Sequence, residues 1–253
     1  MKKILRTYII VVLACLFCIS CKKTDQSPFF DGKPAIAISG ETSQGVISDS
    51  LAFSFGTISS SITDTVIRIK VRAIGLTADH DRGYKLVINQ QLSNAQPAEY
   101  EFPTNFVLPA NKVETSVGLK VKRSERIKTA VARLVIEVQA NDEFTPGARL
   151  EVLGQPVSGP KFTVSWTSLL AKPAVWDGFP TAALVFAFGN YSRTKHQLII
   201  DATGFATYDD AVFMSDKWFY IYHKSREWLN AYNAAHPGAP LRDENGLVEI
   251  YDL

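Results

Sequence analysis

The chain has 253 residues, 46% hydrophobic and 21% charged, with 27 Lys and Arg against 25 Asp and Glu. That length allows one large domain or two ordinary ones, and the near-balanced charge argues against a nucleic-acid partner. All three cysteines lie within residues 15–21, so the remaining chain has no thiol for disulfides, thiolate metal sites or nucleophiles, and burial alone must stabilise it.

The first twenty-five residues read as a bacterial lipoprotein signal. Lys2, Lys3 and Arg6 precede an apolar run over 7–19, small Ser20 precedes Cys21, and Lys22-Lys23-Thr24-Asp25 follows. Cys15 has the better local match in Val12-Leu13-Ala14, but cleavage there would shorten the apolar run to 7–14 and leave Leu16-Phe17 in the mature chain. Cys18 follows bulky Phe17. Only Cys21 is followed at once by a charged segment, which makes 1–20 the signal and Cys21 the lipidated first residue. An uncleaved span needs about 20 apolar residues, more than 7–19 supplies. Lipid such as palmitate on Cys21 supplies the anchor, and because Lys22 rather than a retention-signal aspartate follows it, the outer membrane is expected, with the face left open. Loss of residues 1–20 removes Lys2, Lys3 and Arg6, leaving 24 basic against 25 acidic residues, a formal charge of about −1. Residues 21–34 hold Pro28, Gly32 and Pro34 among polar side chains and read as a tether.

From 35 to 167 the pattern is β. Residues 66–73 alternate Val66, Ile67, Ile69, Val71 and Ala73 with Arg68, Lys70 and Arg72; 113–121 and 133–139 alternate in the same way. Period two is what a strand with one buried face requires. Shorter strands are expected at 35–39, 51–55, 85–89, 100–107, 149–153 and 161–166, spaced by turn residues as in an Ig-like antiparallel β-sandwich.

After residue 168 the period changes. Ser192 is placed to cap a helix over 193–202 with Gly204 as its stop. Met214, Trp218, Ile221, Ser225, Trp228, Leu229 and Tyr232 recur at helical spacing, and His236-Pro237-Gly238 ends that second helix. Asp243-Glu244-Asn245-Gly246 reads as a tight turn before a strand over 247–251. The expected organisation is therefore a β-sandwich domain at 35–167 and a small, mostly helical C-terminal domain at 168–253.

A family resemblance rests on Lys172-Pro173-Ala174-Val175-Trp176, Phe188-Gly189-Asn190-Tyr191-Ser192-Arg193-Thr194-Lys195 and Ile199-Ile200-Asp201-Ala202-Thr203-Gly204. Tyr100-Glu101-Phe102, Val107-Leu108-Pro109-Ala110-Asn111-Lys112 and the strand at 134–138 agree with it. These segments resemble a Bacteroidota lipoprotein family, domain-of-unknown-function family 4843; the N-terminal part is also similar to Ig-like and Calx-β-like modules. His196 stands where that pattern leads one to expect an aromatic, and the clustered acidic loops of a calcium site are missing. The resemblance implies a surface or periplasmic lipoprotein associated with nutrient uptake, with no established activity.

Candidate chemistry is sparse. Asp79-His80-Asp81 lies between Gly75 and Gly83, where Asp and His commonly solvate a turn, so no metal site is assigned. Asp142-Glu143, Asp209-Asp210 and Asp243-Glu244 pair carboxylates in sequence, but a glycosidase needs two carboxyls facing each other across a cleft. No nucleophile elbow, phosphate loop or His-Glu-x-x-His occurs, and no catalytic residue or cofactor is expected. The basic stripe Arg68, Lys70, Arg72 and the cluster Lys120, Lys122, Arg123, Arg126, Lys128 read as solvated faces. Among the aromatics, Trp166, Trp218 and Trp228 fit core positions. Trp176 and Phe179 are least explained by periodicity and are the candidate ligand-binding rings, with a buried plug as the competing reading for Trp176.

Two functions are carried forward. One is a non-catalytic, lipid-anchored envelope protein, a binding or scaffold accessory of a polysaccharide or nutrient-uptake system. Its partners would be the membrane through its lipid, and outer-membrane transporter components or a polysaccharide. The alternative is an envelope hydrolase acting on polysaccharide or peptide. Exposed aromatics without convergent acids favour the first, and a cleft with two carboxyls favours the second.

Overall fold

The computed structural model describes residues 32–42, 44–173, 176, 187–208 and 216–251. Cys21, the tether to residue 31, Phe179, Met214 and Asp209-Asp210 lie outside these residues.

Ten strands build two facing sheets. They are β1 (Ala35–Glu41), β2 (Ile47–Ser48), β3 (Ser50–Ser54), β4 (Asp64–Ile74) and β5 (Lys85–Ile88), then β6 (Tyr100–Glu101), β7 (Glu114–Lys122), β8 (Ala132–Gln139), β9 (Thr145–Pro146) and β10 (Lys161–Thr167). One sheet runs β9-β1-β4-β7-β6, with β2 on the far part of β1; the other runs β3-β10-β8-β5. The ladders are antiparallel apart from two edge pairings, β9 on β1 and β3 on β10, which are parallel. The second of these arises where the chain leaves β2 on the first sheet and, one residue later, opens β3 on the other.

The alternation in β4 has the consequence expected of it. Ile67, Ile69, Val71 and Ala73 are buried, while Arg68, Lys70 and Arg72 face outwards. Those outward cations meet carboxylates on neighbouring strands: Lys70 pairs with Glu41, and Arg72 with Glu114 at 3.6 Å. Exposed pairs of this kind contribute roughly 0–1 kcal/mol each. Burying an Ile or Val side chain contributes about 1.5–3 kcal/mol, so the inner face decides how the strand sits. Val117, Leu119 and Val121 of β7, Leu134 and Ile136 of β8, and Phe162, Val164 and Trp166 of β10 complete the sandwich core.

Several expected strands are shorter than the pattern suggests, the 149–153 segment pairing only over Leu150–Val152. The 100–107 segment forms β6 and a separate bridge at Val107–Leu108, because Pro103 between them has no N–H to give a ladder. At the C-terminus only Gly246–Leu247 pairs as a strand, with Arg242–Asp243. Val248 and Tyr251 donate instead to Leu241 O and Ala187 O, which belong to no strand.

Helix α1 (Arg193–Thr203) begins at Ser192, whose hydroxyl accepts from the Lys195 amide, and ends at Gly204 with φ +76°. Helix α2 (Asp216–Ala235) buries Trp218, Ile221, Tyr222, Ser225 and Leu229 along one face. These pack with Trp176, Phe188, Leu198, Ile199, Tyr208 and Val248 into a second core, which shares no residue with the first. Lys33–Leu253 nevertheless form one compact unit. No helix among the described residues is long and apolar enough to cross a membrane.

A cleft between the sandwich and the helices

Register places two sets of loops at opposite ends of the sandwich. Ala35 pairs with Ile74, the last residue of β4, whereas Asp64, its first, pairs with Lys122. The chain therefore enters at Lys33 beside one end, while Ser60, Arg123 and Lys128 lie in loops at the other, about 34 Å away along an eleven-residue strand. Residues 168–170, which lead from β10 to the helices, leave from that far end too, since Thr167 pairs with Ser54 and Ser168 N donates to Ile127 O.

The loop after β3 is held rigidly. The Arg123 guanidinium donates to Phe55 O at 2.8 Å, Ser59 O at 3.0 Å and Ile62 O at 3.1 Å, and stands 5.3 Å over the Phe55 ring. Burial lowers the affinity of this guanidinium for its proton, and the field of Asp201 opposes that effect. Gly56 lies against the Leu169 carbonyl so closely that a Cβ would sit 2.5 Å from its oxygen, which is why glycine is required there. Ser60 then donates its amide and hydroxyl to the Asp201 carboxylate of α1, at 2.7 and 2.6 Å. Gln197, one turn earlier, donates to the same carboxylate and to Ile58 O. These bonds dock α1 on the sandwich.

Between the docked surfaces lies a cleft of about 500 Å³. Leu170, Leu198 and Leu241 give it apolar wall, and Ser60, Ser168, Thr194 and Gln197 give it polar wall. Helix α2 contributes Trp228 and Tyr232, both partly exposed, with ring centroids 5.3 Å apart and planes 14° from parallel. His236 continues the stack at 4.2 Å from Tyr232. Charge comes from Arg123, Lys128 and Arg193 and from Glu125 and Asp201.

Trp176, a candidate ligand-binding ring on sequence grounds, is not in this cleft. It is 2% exposed, donates its indole N–H to Gly189 O at 3.1 Å, and packs edge-on to Tyr191 and near Phe188 and His196. The buried reading is the one the structure shows. Trp166 and Trp218 are core, as their periodicity indicated. Trp228 fits a core position by its helical spacing, yet it sits at the edge of that core and lines the cleft. Its i, i+4, i+8 relation to Tyr232 and His236 was the available signal.

The Ser192–Lys195 motif is a structural knot. Lys195 Nζ donates to Asn190 O at 3.1 Å and lies 3.7 Å from the enclosed carboxylate of Asp243. Burial opposes the charge on Asp243, but hydrogen bonds from Ser192 and the Asn245 amide, with the Lys195 charge, hold its carboxyl below the usual range. His196 fills an aromatic slot among Trp176, Tyr191 and Tyr208, 1% exposed, with Nε2 3.4 Å from Ala206 O and Nδ1 without a partner.

Elsewhere His80 lies 3.1 Å from Asp79 in an exposed loop, and their hydrogen bond holds the Asp79 carboxyl below its usual range. No group of three potential His, Cys, Asp or Glu metal ligands occurs among the described residues. Lys120, Lys122, Arg126 and Lys128 of the basic cluster are paired with Asp64, Glu101, Glu99 and Glu125.

Comparison with known proteins adds one strong match. The family model described as Domain of unknown function (DUF4843) matches residues 30–205. A Bacteroides ovatus structure of unknown function is 12% identical, over 52% of this chain and 46% of that one, with a TM-score of 0.32. A family 123 glycoside hydrolase from Clostridium perfringens, described as acting on glycolipid glycans, is 12% identical over 75% of this chain and 34% of that one, with a TM-score of 0.31. The chain spans less than half of either structure, and a likeness this distant carries no functional inference. No curated protein matches the chain.

Proposed function

The chain belongs to the DUF4843 family, and from that premise we propose that it is a lipid-anchored, non-catalytic envelope protein that binds saccharide chains in the cleft between sandwich and helices. The observation that carries this reading is the Trp228–Tyr232 wall facing a mixed polar and apolar cleft of about 500 Å³. Saccharides offer apolar C–H faces and a fringe of hydroxyls, and sites of this size pair aromatic surface with a few placed polar groups. The sandwich would serve as a pedestal. The chain enters the sandwich at Lys33, at the end opposite the cleft, and the partners proposed for the cleft are a polysaccharide or a transporter component.

Tyr232 lies outside the second core, which makes it the clean probe. Tyr232→Ala is expected to weaken binding to the best ligand of a glycan panel roughly tenfold, equivalent to about 1.4 kcal/mol, with little change in melting temperature. Unchanged affinity would remove the aromatic wall from the site. The anchor has its own test: Cys21→Ala should stop incorporation of labelled palmitate, and label that persists there but vanishes in Cys15→Ala would move the processing site.

A hydrolase is the second reading, because Glu125 and Asp201 share the cleft. Against it, the Glu125 side chain is 88% exposed beside Lys128, and Asp201 already accepts from Ser60 and Gln197. A general acid needs a carboxyl kept protonated by a dry setting. Release of new reducing ends that survives purification and disappears in Glu125→Gln would replace the binding reading with this one.

A further inference from the structure

Resting on the saccharide-binding reading, we infer that the cleft selects an acidic saccharide, one bearing carboxylate or sulfate, and that Arg193 is its charge partner. Among the described residues, the charges that line the cleft are Arg123, Glu125, Lys128, Arg193 and Asp201. Arg123 spends its guanidinium on the Phe55, Ser59 and Ile62 carbonyls. Lys128 and Glu125 neutralise each other at 2.8 Å. Asp201 is occupied by the Ser60 amide and hydroxyl and by Gln197. Arg193 is exposed and has no carboxylate partner among the described residues, so the charge left over for a ligand is positive.

Its surroundings point the same way. Arg193 is the first residue of α1, whose eleven residues carry no acid in the first turn, so the positive end of the helix adds to its field. Asp243 is the carboxylate bound at this helix start, and it is fully enclosed against Lys195 rather than open to the cleft. Thr194 stands beside Arg193 on the same wall, and Ser168, nine-tenths buried on the cleft wall, has a hydroxyl with no hydrogen-bond partner. A guanidinium that shares a cleft wall with polar side chains suits a carboxylate or a sulfate, which accept two parallel N–H bonds. The apolar C–H surface of the same sugar would meet Trp228 and Tyr232.

The test uses the full mature chain in detergent and two matched pairs of oligosaccharide: oligogalacturonate with its methyl ester, and a sulfated galactan oligomer with its desulfated form. Calorimetry is expected to show at least tenfold tighter binding of the charged member of one pair, and which pair responds identifies carboxylate or sulfate. The margin should narrow in high salt, as an exposed charge contact requires. Arg193→Gln should abolish the difference in affinity between the charged member and its neutral partner, with the melting temperature unchanged. Equal affinity within both pairs, or a preference that persists in Arg193→Gln, overturns the acidic selection and leaves saccharide binding standing. Binding of neither member of either pair overturns both.

Discussion

Trp176→Ala is expected to lower stability by about 3–5 kcal/mol, the usual cost of deleting a buried tryptophan. For a folded unit of this size that is a fall of roughly 10 °C in melting temperature. The indole is 2% exposed, its N–H is bonded to Gly189 O, and it joins Phe188, Tyr191 and His196 into one packed group. Alanine leaves a cavity bordered by those rings and strips the Gly189 carbonyl of its donor. Thermal unfolding followed by circular dichroism checks this. A variant that melts with the parent protein and loses ligand retention instead would restore Trp176 as a stacking surface.

Acidification should produce the second large effect, through His196. Burial holds this imidazole down to about 4 from an ordinary 6.5, with the hydrogen bond to Ala206 O acting weakly the other way. The unfolded chain therefore takes up a proton near pH 6.5, and the folded protein resists until about pH 4. Stability from the neutral ring is complete above pH 6.5 and falls as pH drops, by roughly 3 kcal/mol in all. The carboxylates held below their usual range, among them Glu99, Glu137 and Asp243, act in the same direction only below about pH 4.5. The interval from 6.5 to 4.5 thus isolates the histidine. Urea titrations across that interval should show a falling free energy in the parent and a nearly flat one in His196→Phe, which keeps a ring in the slot. An equal slope in both proteins would place the titrating group elsewhere.

The two effects share a cause. His196 and Trp176 pack into one group, with Tyr191 and Tyr208 also against the imidazole. A ring that must stay neutral to remain packed makes the helical part sensitive to acid. The α1 wall of the cleft, at the adjacent Gln197 and at Asp201 just over a turn further on, should loosen with it.

Local pattern was enough for much of this molecule. The strands β4, β7, β8 and β10 follow from period two, because a pleated strand turns alternate side chains to one face whatever lies beyond it. Ser192 and Gly204 bound α1 because a cap needs only residues within a turn of it. The break at Pro103 and the short final hairpin fell outside that reach: a strand also needs a partner with free backbone groups, and periodicity says nothing about partners. The cleft depends still more on tertiary structure. Ser60, Arg123, Ser168, Arg193 and Trp228 come together only through sheet register and the docking of α1 at one end of the sandwich. Trp176 and Trp228 changed roles for the same reason. Residues 188–196 cover the first, while the second lies at the margin of its core with one side on open space; exposure belongs to the neighbours a fold supplies, and neither ring's own sequence records them.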